Sequence, residues 1–169
     1  MTNYFQSFDL KPGFAIDQAV LEARYEQLMV LCHPDKFAGA AIFEQRTAAK
    51  RAADINEAYG VLRDAVRRAG HLLELHDIDL QQLERQPASP EFLFEQMMFR
   101  ERVQDFESLS DSDASALVAD IELAYSQTQH AFVDLYDGGD IDGASAKWVE
   151  FHFQQKLLDE LVRAQRQVG

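Results

Sequence analysis

The chain has 169 residues and a net charge of −13, with 47% apolar and 27% charged residues, eight glycines, four prolines and one cysteine. That length allows one ordinary domain or two small ones, and the apolar content supplies a real core rather than wholesale disorder. The charge excludes a general nucleic-acid binder, the lack of an eighteen-residue apolar run excludes a membrane-spanning helix, and a lone cysteine excludes an internal disulfide or multi-Cys metal centre.

The charge is unevenly spread. Residues 1–76 hold nine Lys/Arg against ten Asp/Glu, whereas residues 77–169 hold seven against nineteen. Two modules with different electrostatics, and two different partners, are expected. The opening MTNYFQSFDL has neither a basic n-region with a long apolar stretch nor an Arg- and Ser-rich amphipathic leader. A cytoplasmic location, bacterial rather than organellar, is therefore expected.

Composition favours an all-α fold, because Ala, Leu, Glu, Gln and Arg are abundant and β-branched runs almost absent. The aromatic segment NYFQSF predicts a turn or two of helix before the break at Lys11-Pro12-Gly13. Asp17 is a natural N-cap for a first long helix, whose Leu21, Tyr25, Leu28 and Cys32 form one stripe. Pro34 cannot continue that helix and biases His33 toward extended backbone. A second long helix is predicted over about 43–63, with Ala48, Ala52, Ile55, Tyr59 and Leu62 facing inward. So short a connection makes the two helices antiparallel neighbours. RDAVRRAGHLLELHDIDL is read as continuing helically, and residues 77–90, with Pro87, Ser89 and Pro90, as a linker. Three amphipathic stretches follow, over about 91–108, 113–137 and 144–167. SLSDSD and YDGGDIDGAS separate them with helix-stop and N-cap chemistry, so an antiparallel three-helix bundle over 91–169 is expected.

A helix ending in HPDK, a loop, and a helix containing AADINEAYGVLRD resemble the J-domain of the DnaJ co-chaperones. With YFQSFDL at the start, RRAGHLLELHDIDL after the second long helix and EFLFEQMMFRE further on, the whole chain is similar to the HscB family, the J-type co-chaperones of iron–sulfur cluster assembly. The resemblance implies a non-enzymatic adaptor with no cofactor of its own. Its J-domain, residues 1–76, would stimulate ATP hydrolysis by an HscA-type heat-shock chaperone. Its bundle would bind an IscU-type scaffold protein and deliver it to that chaperone. The alternative is a general J-type co-chaperone whose second module binds unfolded clients.

On the J-domain side the resemblance points to His33, Pro34, Asp35 and Lys36. Pro34 holds the turn, and Asp35 can accept charge-assisted hydrogen bonds from a partner arginine. J-domains usually carry a basic face on the helix before HPD. Here that helix offers Arg24 but ends MVLC, so the cations are expected on the second helix, at Arg46, Lys50, Arg51 and Arg63. On the bundle side the family's scaffold-binding surface maps onto Leu93, Phe94, Met97, Arg100 or Glu101, and Phe153. Met98 extends it where related chains often carry a polar residue. A wheel count places Phe92, Phe99, Val103 and Phe106 inward and this second set elsewhere on the helix. On the last helix Trp148, Phe151, Leu158 and Val162 share one face, with Phe153 and Leu157 largely opposite. The bland alternative for all these apolar residues is a wide buried stripe; the other is an exposed partner site rimmed by Glu95, Glu101 and Asp105.

Rival chemistries fail on the residues. His33 and Asp35 lack a serine or cysteine in a nucleophile motif, and Cys32 belongs to the buried stripe rather than facing His33. DGGDIDGASAKWV lacks the carboxylates that open and close a calcium loop. His71, His76, His130 and His152 have no metal-ligand spacing, and no Gly-rich phosphate cradle is present.

Overall fold

Helix caps written into the sequence set the element boundaries of the computed structural model, which describes residues 2–168, the side chains of Pro34 and Val168 excepted. The elements run α1 (Tyr4–Ser7), α2 (Gln18–Cys32), a 3-10 turn (Pro34–Phe37), α3 (Ile42–Arg63), α4 (Ala65–Glu74) and α5 (Leu80–Leu83). After these come α6 (Pro90–Gln104), a second 3-10 turn (Phe106–Ser108), α7 (Asp111–Asp137) and α8 (Ile141–Val168). No strand occurs among the described residues. None of their helices is long and apolar enough to cross a membrane. They divide into two compact units, one up to Leu75 and one from His76.

In the first unit, Asp17 caps α2 by accepting from the N–H groups of Ala19 and Val20. Leu21 and Cys32 are buried on α2, with Tyr25 and Leu28 half-buried between them. The Tyr25 ring stacks on Tyr59 of α3 at 4.0 Å, and its hydroxyl donates to Asn56 Oδ1 at 2.8 Å. These contacts tie α2 to α3 as an antiparallel pair.

Underneath lies the N-terminal segment. Phe5 and Phe8 are fully buried, and Asp9, at φ 53°, turns the chain out of α1 so that Leu10 N–H reaches Phe5 C=O at 2.9 Å. Two buried polar side chains of α4 hold this segment. Arg68 donates from Nε to Phe14 C=O at 2.8 Å and from Nη1 to Leu62 C=O at 2.6 Å, with its guanidinium over the Phe14 ring. His71 accepts the Tyr4 N–H on Nε2 at 3.1 Å, which fixes its proton on Nδ1, 3.2 Å from Glu74 Oε2.

The helix expected to run on from residue 63 is broken. Asp64 takes extended backbone and accepts the Arg67 N–H at 2.8 Å, ending α3 and capping α4 at the same residue. The corner lets α3 bury Ala58, Val61 and Leu62, two of which lie outside the expected Ala48–Leu62 stripe.

In the second unit, Asp79 caps the one-turn α5 within the stretch read as linker, and Leu83 is buried. Ser89 caps α6 with Pro90 at its first position, and Ser110 caps α7. Gly139, at φ +80°, ends α7, and Asp140 then accepts the Gly143 N–H to start α8. A Cβ on Gly143 would collide with that cap. The bundle core packs Val103 of α6 with Leu117 and Ile121 of α7 and Leu157 and Leu161 of α8. The wheel assignment for α8 is corrected here: Leu157 is fully buried whereas Val162 is 40% exposed. A helix between two neighbours buries one face on α7 and another on α6, so a single apolar stripe does not describe it.

Two measurements test this account. Arg68→Met should remove both hydrogen bonds and lower stability by about 3 kcal/mol, read from the urea midpoint. Burial, with the Glu57 and Glu74 carboxylates nearby, holds the Tyr4 phenol above the ordinary tyrosine value. The folded state thus keeps that proton more tightly than the unfolded chain. Its contribution is full below about pH 10 and is lost as pH climbs through the raised value. Tyr4→Phe should make the alkaline fall in stability shallower.

Candidate functional site

Each unit presents one surface that its own packing does not use. In the first, proline chemistry creates it. His33 has extended backbone (φ −61°, ψ 132°), so α2 stops at Cys32, and Pro34 opens the following 3-10 turn. His33 Nδ1 accepts the Asp35 N–H at 3.3 Å, which places the proton of the neutral ring on Nε2, pointing away from the turn. Asp35 Oδ2 also lies 3.5 Å from Nδ1, but that contact is an ion pair only on a protonated ring, which would surrender the N–H it accepts. The Asp35 side chain is 90% exposed and free to meet a partner cation. Lys36 is exposed, and its N–H donates to His33 C=O at 3.0 Å. The Pro34 ring lies outside the described side chains.

The expected cations behave differently from one another. Arg24 leans back onto Asp9 at 3.5 Å in an exposed pair, which competes only weakly with a partner. Lys50 and Arg51 are exposed on α3, with no ion pair among the described residues. Arg63 sits over the Tyr59 ring, seventeen residues and roughly 25 Å along the helix from Arg46, so it does not join them.

Sequence reasoning missed the apolar surroundings of the turn. Leu31 is 62% exposed at the end of α2 and Phe43 79% exposed at the start of α3, with Val30 and Ile42 beside them. Leu31, Phe37 and Phe43 line a groove of about 410 Å³ between the helices, with Cys32 and Ala48 in its lining and Arg51 at its side. The signal was available: positions 30 and 31 fall off the Leu21–Cys32 stripe, and 42 and 43 off the α3 stripe. Among the described residues, no cluster of three His, Cys, Asp or Glu is placed to hold a metal ion.

In the second unit the surface is on α6. Phe92 and Val103 are buried and Phe99 and Phe106 half-buried, as the wheel count predicts. Leu93, Phe94, Met97 and Met98 are all exposed, so the wide-stripe alternative does not hold for them. Glu91, Glu95 and Glu101 are exposed beside them. Arg100 pairs with Glu160 of α8, its Nε 3.2 Å from Oε2. Phe153 is half-buried, its ring edge-on to Phe92 at 6.1 Å with Lys156 Nζ 5.7 Å above its face. Exposed thioethers and aromatics in one patch suit a protein partner.

Comparison with known proteins bears on the family and the fold. Residues 88–162 match the family model described as the HSCB C-terminal oligomerisation domain. The co-chaperone protein HscB homolog of Shewanella sp. (strain ANA-3) is 36% identical over 166 residues, covering 95% of each chain. Its counterpart in Bordetella pertussis is 38% identical over 165 residues, covering 96% of each. The solved structure of chaperone HscB from Vibrio cholerae superposes with a TM-score of 0.88 at 29% identity, over 99% of this chain and 100% of that one. Human co-chaperone HscB shares the fold, with a TM-score of 0.90 over 98% of this chain and 83% of that one, at 22% identity. An all-α architecture of J-domain hairpin and helical bundle, matched along its whole length by these relatives, places the chain in the HscB co-chaperone family.

Proposed function

We propose that this chain is a non-enzymatic adaptor of the bacterial cytoplasm, which couples an IscU-type iron–sulfur scaffold protein to the ATP cycle of an HscA-type chaperone. The first unit grips the chaperone through His33, Pro34, Asp35 and Lys36, with Lys50 and Arg51 supplying positive charge from α3. Asp35 accepts a chaperone arginine, and the outward Nε2–H of His33 donates across the interface. The observation that carries this reading is the turn itself: the His33 ring caps it through Nδ1, yet more than half of that ring and nearly all of the Asp35 side chain, 57% and 90%, face solvent.

The second unit holds the scaffold on Leu93, Phe94, Met97, Met98, Glu101 and Phe153. Arg100 stands outside this set, paired with Glu160 of α8. The anionic rim favours a basic partner, which supports one folded protein of suitable charge over unfolded clients in general.

Chaperone ATP turnover with and without scaffold tests both halves. His33→Gln should lose stimulation at least tenfold while its melting temperature falls by no more than the loss of one exposed cap costs, about 1 kcal/mol. Leu93→Ala with Phe94→Ala should keep the basal stimulation and lose the further rise that scaffold brings. Equal stimulation by denatured clients and scaffold would instead favour the general client binder.

A further inference from the structure

One level of the bundle core is polar. Gln96 of α6 and Gln154 of α8 are each 1% exposed. Neither polar atom of the Gln96 amide, nor the Gln154 carbonyl oxygen, has a hydrogen-bond partner among the described residues. Helical spacing places the two side chains against each other. Helices α6 and α8 run parallel, because Phe92 meets Phe153 towards one end of the seam and Arg100 meets Glu160 towards the other. Val103 packs with Leu157 and Leu161 in the apolar core. Gln96 lies seven residues before Val103, and Gln154 seven before Leu161. Seven residues are two turns, so each amide takes the same inward position one level down.

Burying an unpaired amide is costly, and nearly every buried polar group of a folded protein has a partner. Each glutamine carries a donor and an acceptor, so two that face each other can satisfy one another. The last side-chain torsion of glutamine is soft, and turning it moves the amide without moving the backbone. We propose that Gln96 and Gln154 pair across the α6–α8 seam, directly or through one shared water, and so set the register of α6 on α8. Leucine and valine accept one another at more than one height. An amide slid one turn towards Leu157 and Leu161 faces only hydrocarbon, which is how a single polar level fixes register in a helical core at some cost in stability. One turn is about 5.4 Å, enough to put Met97 where Leu93 had been on the outer surface. The pair therefore positions the face of Leu93, Phe94 and Met97 without touching what binds there.

The effect on binding rests on the reading of the α6 face as the scaffold site; the pairing itself does not, and the experiment keeps the two apart. Gln96→Leu, Gln154→Leu and the double variant are made in the full chain. Each single variant strands the remaining amide and should melt about 5 °C below the parent, whereas the double variant should recover to the parent's melting temperature or above it. In the double variant the backbone ¹⁵N signals of α6 should split into two sets, one for each register. Its affinity for the cognate IscU-type protein should fall about tenfold although its stability has not, a combination that a purely structural role would not produce. Single variants that melt at or above the parent, or a double variant that loses as much as both singles together, would show that the amides do not pair. One undisturbed set of α6 signals in the double variant would show a register fixed by apolar packing alone. Either result overturns the proposal. Split signals with parental affinity, while Leu93→Ala binds poorly, would overturn the positioning role. Split signals with parental affinity in Leu93→Ala as well would leave the register pair standing and end the reading of the face.

Discussion

A proline has no N–H to give to a helix, and its ring forbids the residue before it a helical backbone. From that one constraint at position 34 most of the first unit follows. Helix α2 must end at Cys32, the chain must turn, and α3 must return alongside it. His33 supplies the cap that the new turn needs, so its ring lies along the surface rather than in the core. The residues at the end of the hairpin are held at the edge of its packing, which leaves Val30, Leu31, Ile42 and Phe43 in solvent. A helix that ran on through this point would have given the same residues a neighbour to pack against.

The second unit solves a different problem. Three amphipathic helices with close connections bury their apolar faces on one another, but α6 carries more apolar surface than one core can use. Its inner row is Phe92, Phe99 and Val103; its outer rows hold two methionines, a leucine and a phenylalanine. Packing of Phe92 on Phe153 and of Val103 with Leu157 and Leu161 holds α6 on α8, with the partly exposed Arg100–Glu160 pair beside it. Residues 77–169 carry most of the chain's acidic excess, and Glu91, Glu95 and Glu101 are exposed beside those outer rows, a charge suited to a partner of opposite sign.

Much of this was legible in the sequence because local chemistry decides it. Asp17, Ser89, Ser110 and Asp140 have side chains that satisfy the first N–H groups of a helix wherever they stand, and each marks a helix start. The Leu21–Cys32 stripe was readable because α2 packs with a single periodicity. What escaped depends on the third dimension. Asp64 reads as a tolerable helix residue until a corner of the fold turns it into a cap. Nothing in the stretch RDAVRRAGHLLELHDIDL marks Arg68 and His71 for burial; Phe14 and Tyr4, distant in sequence, accept and donate there. The inward face of α8 rotates between two neighbours, so Leu157 and Val162 exchanged roles. Gln96 looks like an ordinary polar position on α6, and only the seam with α8 makes it unusual.

The burial of Cys32 has a consequence for the dynamics of the hairpin. The chain carries no other thiol, and this one is packed at the last turn of α2, just before the proline turn. Only a small part of it, 8%, meets solvent, at the groove between the helices, so an alkylating reagent or oxidant reacts fastest when that turn loosens from α3. Where closing is faster than reaction, the observed rate is the rate of the free thiolate multiplied by the open fraction. A single sulfur atom thus serves as a built-in gauge of how often the hairpin end opens. A partner that seals the end would slow the chemistry, and one that binds only the bundle would leave it unchanged.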